Sequence, residues 1–234
     1  YYDPELGRFI TMDPIKSGVN WYVYCGNNPL RYVDINGLTP ITNTEMNFIY
    51  GIIGNDLYGK TVDISSVNII SANNSNILAS PLGSKDIFTR TPVMETLVNM
   101  VFFAHEVFHE YQEQATDNII GLALAFILTK FTDNTKYSLK NKSNLKEFNP
   151  EQQAYIVQAF VQAHLLFQLA YRKLLDTEND KCKEMVEEQL SELQEMAQIL
   201  NNSGMESPAI SGYAHPSYHM NHSFNECADY YSRE

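Results

Sequence analysis

The sequence predicts an α+β fold: a mostly helical body with a small twisted sheet, preceded by a short separate β segment. Three observations carry this. Residues 1–38 are rich in Tyr, Asn, Gly and Pro, with short extended pieces between turn signals. Short runs of β-branched residues recur between 62 and 89. From Pro92 onward the apolar residues recur every three to four positions, the period of a helix.

In the first segment, Trp21-Tyr22-Val23-Tyr24 reads as extended, and Gly26-Asn27-Asn28-Pro29 and Asn36-Gly37 read as turns. Such a hairpin-like piece is too small to close a core of its own. The chain therefore divides into residues 1–38 and a main domain over residues 39–234. In the main domain, Glu45 to Ile53 reads as a short helix ending at Gly54. Val62–Ile64, Val67–Ile70, Ile77–Ala79 and Asp86–Thr89 read as short strands. Pro92 is placed in the first turn of a long helix, where its missing N–H costs nothing. Leu97, Val101, Ala104 and Phe108 form that helix's apolar stripe. A second helix is expected from about Asn118 to Phe131. Its run Ile119–Leu128 is too short to span a bilayer and reads as a buried helix. Residues 134–149 read as a polar loop. Asn149-Pro150-Glu151 opens a long helix to about Leu175, Glu178–Leu200 is an amphipathic helix, and the tail from Ser203 reads as irregular.

Composition excludes some functions. The apolar fraction of 44% supports a real core, and a net charge of −12 without any basic stripe argues against nucleic-acid binding. Cys25, Cys182 and Cys227 form no CxxC pair, so neither a cysteine zinc knuckle nor a disulfide framework is expected. Free thiols suit folding in a reducing cytosol. No basic-then-apolar leader pattern is seen at Tyr1-Tyr2-Asp3-Pro4, so export would depend on something else.

The chemistry lies in His105-Glu106-Val107-Phe108-His109, an HExxH pattern on the long helix. Histidines four apart share one helix face, so both imidazoles can bind one zinc ion. Glu106 is then placed as general base toward water, as in a zinc peptidase. A catalytic zinc needs a third protein ligand. Glu151 is favoured: it sits in an ExxA pattern, and Ala154, one turn on, lets its helix approach closely. Glu226, beside Cys227, is the rival. Oxyanion donors are sought in the tail among Tyr213, His215, Tyr218, His219 and His222, with surface histidines as the plainer alternative. His164, on an apolar helix, reads as a core or surface histidine rather than a ligand.

Two resemblances extend this reading. Tyr1-Tyr2-Asp3-Pro4-Glu5-Leu6-Gly7-Arg8-Phe9, Asp13-Pro14, Asn20-Trp21-Tyr22-Val23-Tyr24, Asn27-Asn28-Pro29 and Tyr32-Val33-Asp34-Ile35-Asn36-Gly37-Leu38 resemble the C-terminal end of the Rhs (YD-repeat) core. Lys16 and Ile35 depart from that pattern, where Gly and Pro are usual. The resemblance implies a β-shell around a variable C-terminal toxin. It implies autoproteolysis between Leu38 and Thr39 by Asp13 and Asp34, an aspartyl pair sharing a proton. Turn capping is the alternative role for both aspartates. Asp63-Ile64-Ser65-Ser66-Val67, Ile87-Phe88, His105 to Gln112 and Glu151-Gln152-Gln153-Ala154 resemble metallopeptidase toxin domains with HExxHxxQ and EQQA motifs. That resemblance spans residues 45–165. It implies a zincin-like fold and a gluzincin set of His105, His109 and Glu151, with an edge strand that binds substrate backbone.

Together these lead to an expected Rhs-associated toxin, a zinc endopeptidase that cleaves a protein in a target cell. It would be made in the bacterial cytoplasm and delivered by a specialised secretion system. Its expected partners are the Rhs shell, the substrate protein and a cognate immunity protein, with no nucleic acid and no membrane span. The alternative is a non-catalytic toxin module that binds a partner through its long helices, with a structural or absent metal.

Overall fold

The structure, a computed structural model, describes residues 39–71, 81–132, 136–175 and 180–214, with two two-residue strands near the start. Those strands, β1 (Tyr2–Asp3) and β2 (Arg8–Phe9), pair antiparallel. Asp13, Asp34 and Leu38 lie outside the described residues, as do Ile77–Ala79, His215, Tyr218, His219, His222 and Glu226.

The main body is mostly helical, with a small β part. Its first element, β3 (Thr39–Pro40), directly follows Leu38 in sequence. Helix α1 (Asn43–Ile53) starts where the sequence provides a capping box: Thr42 Oγ1 accepts the Glu45 N–H, and the Glu45 carboxylate accepts the Thr42 N–H at 2.8 Å. Its buried residues Phe48, Ile49, Ile52 and Ile53 form one stripe. It ends at Gly54, with φ 74° and ψ −174°, a region open in practice to glycine alone. A Cβ at Gly54 would lie 2.0 Å from the Glu206 carbonyl oxygen. Gly54→Ala is therefore expected to destabilise the fold by about 3 kcal/mol or more, combining backbone strain and overpacking. Urea unfolding of the two proteins measures this.

The chain next makes a tight hairpin, β4 (Asp56–Leu57) and β5 (Lys60–Thr61). Its turn residues Tyr58 and Gly59 have φ of 55° and 81°, as a two-residue hairpin turn demands. The hairpin ends just before Val62–Ile64, where a strand was expected and none forms. Val62 and Ile64 are buried in a connecting segment instead, and the Val62 N–H donates to the Asn55 carbonyl. The expected strands at 67–70 and 86–89 are present as β6 (Asn68–Ser71) and β7 (Asp86–Thr89). They pair in parallel, Ile69 with Ile87, and β3 adds antiparallel to the other side of β6. Among the described residues β7 is an outer strand of this three-stranded sheet.

Helix α2 (Leu97–Ala115) packs beside β7. It begins later than expected. Thr96 is the N-cap, its hydroxyl accepting the Asn99 N–H, and Pro92 belongs to a preceding turn closed by the Glu95 N–H on the Pro92 carbonyl. An ion pair between the half-exposed Lys85 and the buried Glu110, at 2.8 Å, and the Glu113 carboxylate on the Gly83 N–H pin the approach to β7 against α2.

Helix α3 (Ile119–Thr132) follows. It is not the buried helix its composition suggested: Ile120, Leu124, Ile127 and Leu128 are exposed. Among the described helices α3 packs mainly on α4 (Pro150–Leu175), so only part of its circumference is covered. The segment between them is more than a polar loop. It contains a 3-10 turn at Leu145–Glu147 that buries Leu145 and is tied to the end of α5 (Asp180–Asn202) by Asn144 Nδ2 on the Asn202 carbonyl. Helix α4 begins as its sequence implies, with Asn149 and Gln152 exchanging side-chain-to-backbone bonds around Pro150. The tail expected to be irregular contains a short helix, α6 (Pro208–Ala214), whose Ala209, Ile210, Tyr213 and Ala214 are buried. Among the described residues no helix is long and apolar enough to cross a membrane.

The core between α4 and α6 contains His164, stacked on Phe160 and hydrogen-bonded through Nδ1 to the Tyr213 hydroxyl at 3.1 Å. Both histidine and tyrosine are thus part of the core packing. Burial lowers the His164 pKa to about 4 from 6.5. Between those values the unfolded chain binds a proton that the folded protein refuses, so stability falls as pH falls through this window. From pH 7 to pH 5 this contributes a loss of about 2 kcal/mol. Urea unfolding in the presence of chelator should show that His164→Gln loses correspondingly less than wild type.

Candidate metal centre

Helices α2 and α4 pack along each other, and their contact creates the site. The 3.6-residue period puts His105 and His109 one turn apart on the face of α2 that meets α4. Both are buried, at 6% exposure each. Glu151 enters from the first turn of α4, and Ala154, fully buried one turn later, leaves room for the helices to close.

Glu151 Oε2 lies 3.6 Å from His105 Nε2, and Oε1 lies 3.9 Å from His109 Nε2. One ligand atom from each of the three side chains falls within 4.8 Å of the others. These separations exceed a good hydrogen bond. They approach the roughly 3.4 Å between ligand atoms around a tetrahedral ion with bonds near 2.1 Å. Two imidazoles and a carboxylate suit zinc in hardness and geometry. The donor set therefore fits a divalent ion, and it is the set expected from the sequence.

His109 is prepared for that role by its neighbours. Gln153 Nε2 donates to the Phe148 carbonyl, which can only accept, so Gln153 must turn its Oε1 toward Gln112. Gln112 Nε2 donates to that oxygen at 3.0 Å and to the Pro150 carbonyl at 2.8 Å. Gln112 is thereby left with Oε1 facing His109 Nδ1, 2.9 Å away. The Nδ1 of a neutral His109 must then carry the hydrogen, and its Nε2 presents a lone pair toward Glu151. Burial first, and the neighbouring His105 second, lower the His109 pKa to about 4, so the ring is neutral at physiological pH. The phenyl ring of Phe126 on α3 packs edge-on against it at 5.0 Å.

His105 is held differently. Its Nδ1 is buried with no hydrogen-bond partner among the described residues, and its ring is set by aromatic packing. Tyr155, one turn after Glu151, lies 4.7 Å away, and His109 lies 5.1 Å away, both edge-on. Glu106 is also buried, at 5% exposure, on the same helix. Tyr213, one of the oxyanion candidates, directs its hydroxyl to His164 in the core.

In the sequence Gln112 and Gln153 stand out only as letters within motifs, and Phe126 and Tyr155 belong to none. The helical spacing of Glu151 and Tyr155 was a usable signal for the second of these. Nothing local marks Phe126.

No protein-family profile and no solved structure matches the chain. A stretch of 53 residues is 40% identical to Salivary gland surface protein 1 of Aedes aegypti. It covers 23% of this chain and only 2% of that protein, so the chain spans a very small part of this relative's length.

Proposed function

We propose that residues 39–234 form a zinc-dependent endopeptidase with a zincin-like fold, carried as a toxin behind an Rhs-type segment and released by cleavage after Leu38. The observation that carries the metal chemistry is the convergence of His105, His109 and Glu151 from two helices. When bound, zinc supplies a Lewis acid that polarises a carbonyl and lowers the pKa of water toward 7.

The remaining work falls to the chain. His109, neutral and oriented by Gln112, offers Nε2, and Glu151 supplies the negative charge of the ligand set. Glu106 accepts a proton from the attacking water and passes it to the leaving amine. The outer strand β7, alongside α2, suits an extended substrate backbone by β-addition. Asp13 and Asp34 are the proposed autocleavage pair. Comparing protein N-termini in cells making wild type or Glu106→Ala tests this reading. New termini confined to wild type support it, and identical sets oppose it.

A second reading has an observation of its own. The exposed Leu166 and Leu169 of α4, with Ile120, Leu124, Ile127 and Leu128 of α3, give the helical body an apolar surface that suits a non-catalytic binding module. Under that reading Glu106→Ala stays fully toxic.

A further inference from the structure

We propose that Tyr58, at the tip of the β4–β5 hairpin, is a positioning residue for the metal centre and acts through Gln153 and Gln112 on His109. The inference rests on the metal-centre reading above.

Tyr58 is unusual where it stands. A two-residue hairpin turn with both φ angles positive favours Asn, Asp or Gly at its first position. A bulky aromatic residue at φ 55° is strained. Strain that persists marks a place where the surroundings hold a residue for some purpose. Here the surroundings are specific. The Tyr58 N–H donates to the Ser203 carbonyl at 2.7 Å, at the end of α5. The ammonium of Lys146 sits 4.5 Å above the ring. Gly204 packs under the turn, where a Cβ would lie 3.2 Å from the Gly59 nitrogen. On the far side of the hairpin, Lys60 of β5 pairs with Asp117, just past the end of α2.

The backbone contacts of the turn with Ser203 and Gly204, rather than the Lys146 ammonium, direct the Tyr58 hydroxyl onto Gln153 Oε1, 3.2 Å away. Because Gln153 donates its own N–H to the Phe148 carbonyl, that oxygen is an acceptor and Tyr58 is the donor. The same oxygen accepts Gln112 Nε2, and Gln112 Oε1 accepts His109 Nδ1–H. A continuous path of hydrogen bonds thus runs from the hairpin tip through α4 and α2 to a metal ligand. Burial raises the Tyr58 pKa, so the hydroxyl keeps its proton and remains a donor. The path also gives a role to the end of α5, beyond the stretch that resembles a peptidase: it seats the hairpin that steadies the ligand.

The test is zinc titration of the metal-free protein against a chromophoric chelator, with Tyr58→Phe, Lys146→Met, Gln112→Met and the double variant Tyr58→Phe/Gln112→Met. Tyr58→Phe keeps the ring and loses only the hydroxyl. It should weaken zinc binding by roughly threefold to tenfold, less than the 10- to 100-fold expected for Gln112→Met. Lys146→Met disturbs packing on the same ring and should bind zinc as wild type does. In the Gln112→Met background the Tyr58 substitution should have no further effect, because the path is already cut. The visible spectrum of the cobalt-loaded protein should shift in Tyr58→Phe and not in Lys146→Met. If Gln112→Met does not fold, the comparison of Tyr58→Phe with Lys146→Met decides. Wild-type affinity in Tyr58→Phe, an equal loss in Lys146→Met, or an undiminished loss in the double variant overturns the proposal. A wild-type protein that binds no zinc overturns the metal reading itself, and the proposal with it.

Discussion

Glu106→Ala is expected to lower peptide cleavage by about 10²- to 10⁴-fold, the usual contribution of a positioned general base, while the zinc content stays at the wild-type level. Glu106 sits on α2 immediately after His105 and is buried, so its carboxylate acts in a low-dielectric setting. It is not one of the three residues whose ligand atoms converge, so its removal leaves the metal set intact. Glu106→Gln is the companion variant, because it keeps the volume and removes only the basic oxygen. Cleavage and metal content measured on the same preparations separate loss of the base from loss of the site. Undiminished toxicity in both variants would favour a binding module over an enzyme.

Glu151→Ala is expected to weaken zinc by more than 100-fold, beyond the effect usual for a residue that only orients a ligand. The carboxylate would supply the anionic ligand, and it faces both imidazoles, at 3.6 and 3.9 Å. Without it two neutral histidines remain, short of the three protein ligands of a catalytic zinc. The substitution also removes a negative charge from the first turn of α4, which costs about 0.3–1 kcal/mol of helix stability. Glu151→Gln suffers the same charge loss but keeps its packing, so zinc titration of both variants isolates the ligand effect. Retained zinc in both would point to the rival Glu226 as third ligand.

The site was legible in the sequence where its logic is local. His105 and His109 reveal themselves by helical spacing, and Glu151 by the cap at Asn149 and the small Ala154 that follows. Its support was not legible, because it depends on contacts between distant segments. Gln112 meets Gln153 across 41 residues, and Tyr58 meets Gln153 across 95. No periodicity encodes such meetings. The fold shows the same division. Gly54 and Asn149 mark helix ends through chemistry within three or four residues, and those boundaries were readable, whereas α1 starts two residues before the expected Glu45 because Thr42 caps it. Val62 and Ile64 have the composition of a strand, yet the hydrogen bond from Val62 to Asn55 and the turn at Tyr58-Gly59 place the ladder earlier. In α3 the apolar run reports hydrophobicity without reporting what covers it, so Ile120 and Leu128 emerge exposed. In the tail, α6 is too short for a periodic signal. Its start is set by the Ser207 hydroxyl, which accepts the Ile210 N–H and donates to the Ile52 carbonyl, 155 residues away.

The central claim is that two histidines of α2 and one glutamate of α4 hold a metal ion. Metal analysis of purified wild type beside His109→Ala, with circular dichroism to confirm that both are folded, tests it most directly. The account predicts about one zinc per chain in wild type, as a single three-ligand site requires, and almost none in His109→Ala. Equal zinc content in the two proteins, whether high or absent, would contradict it.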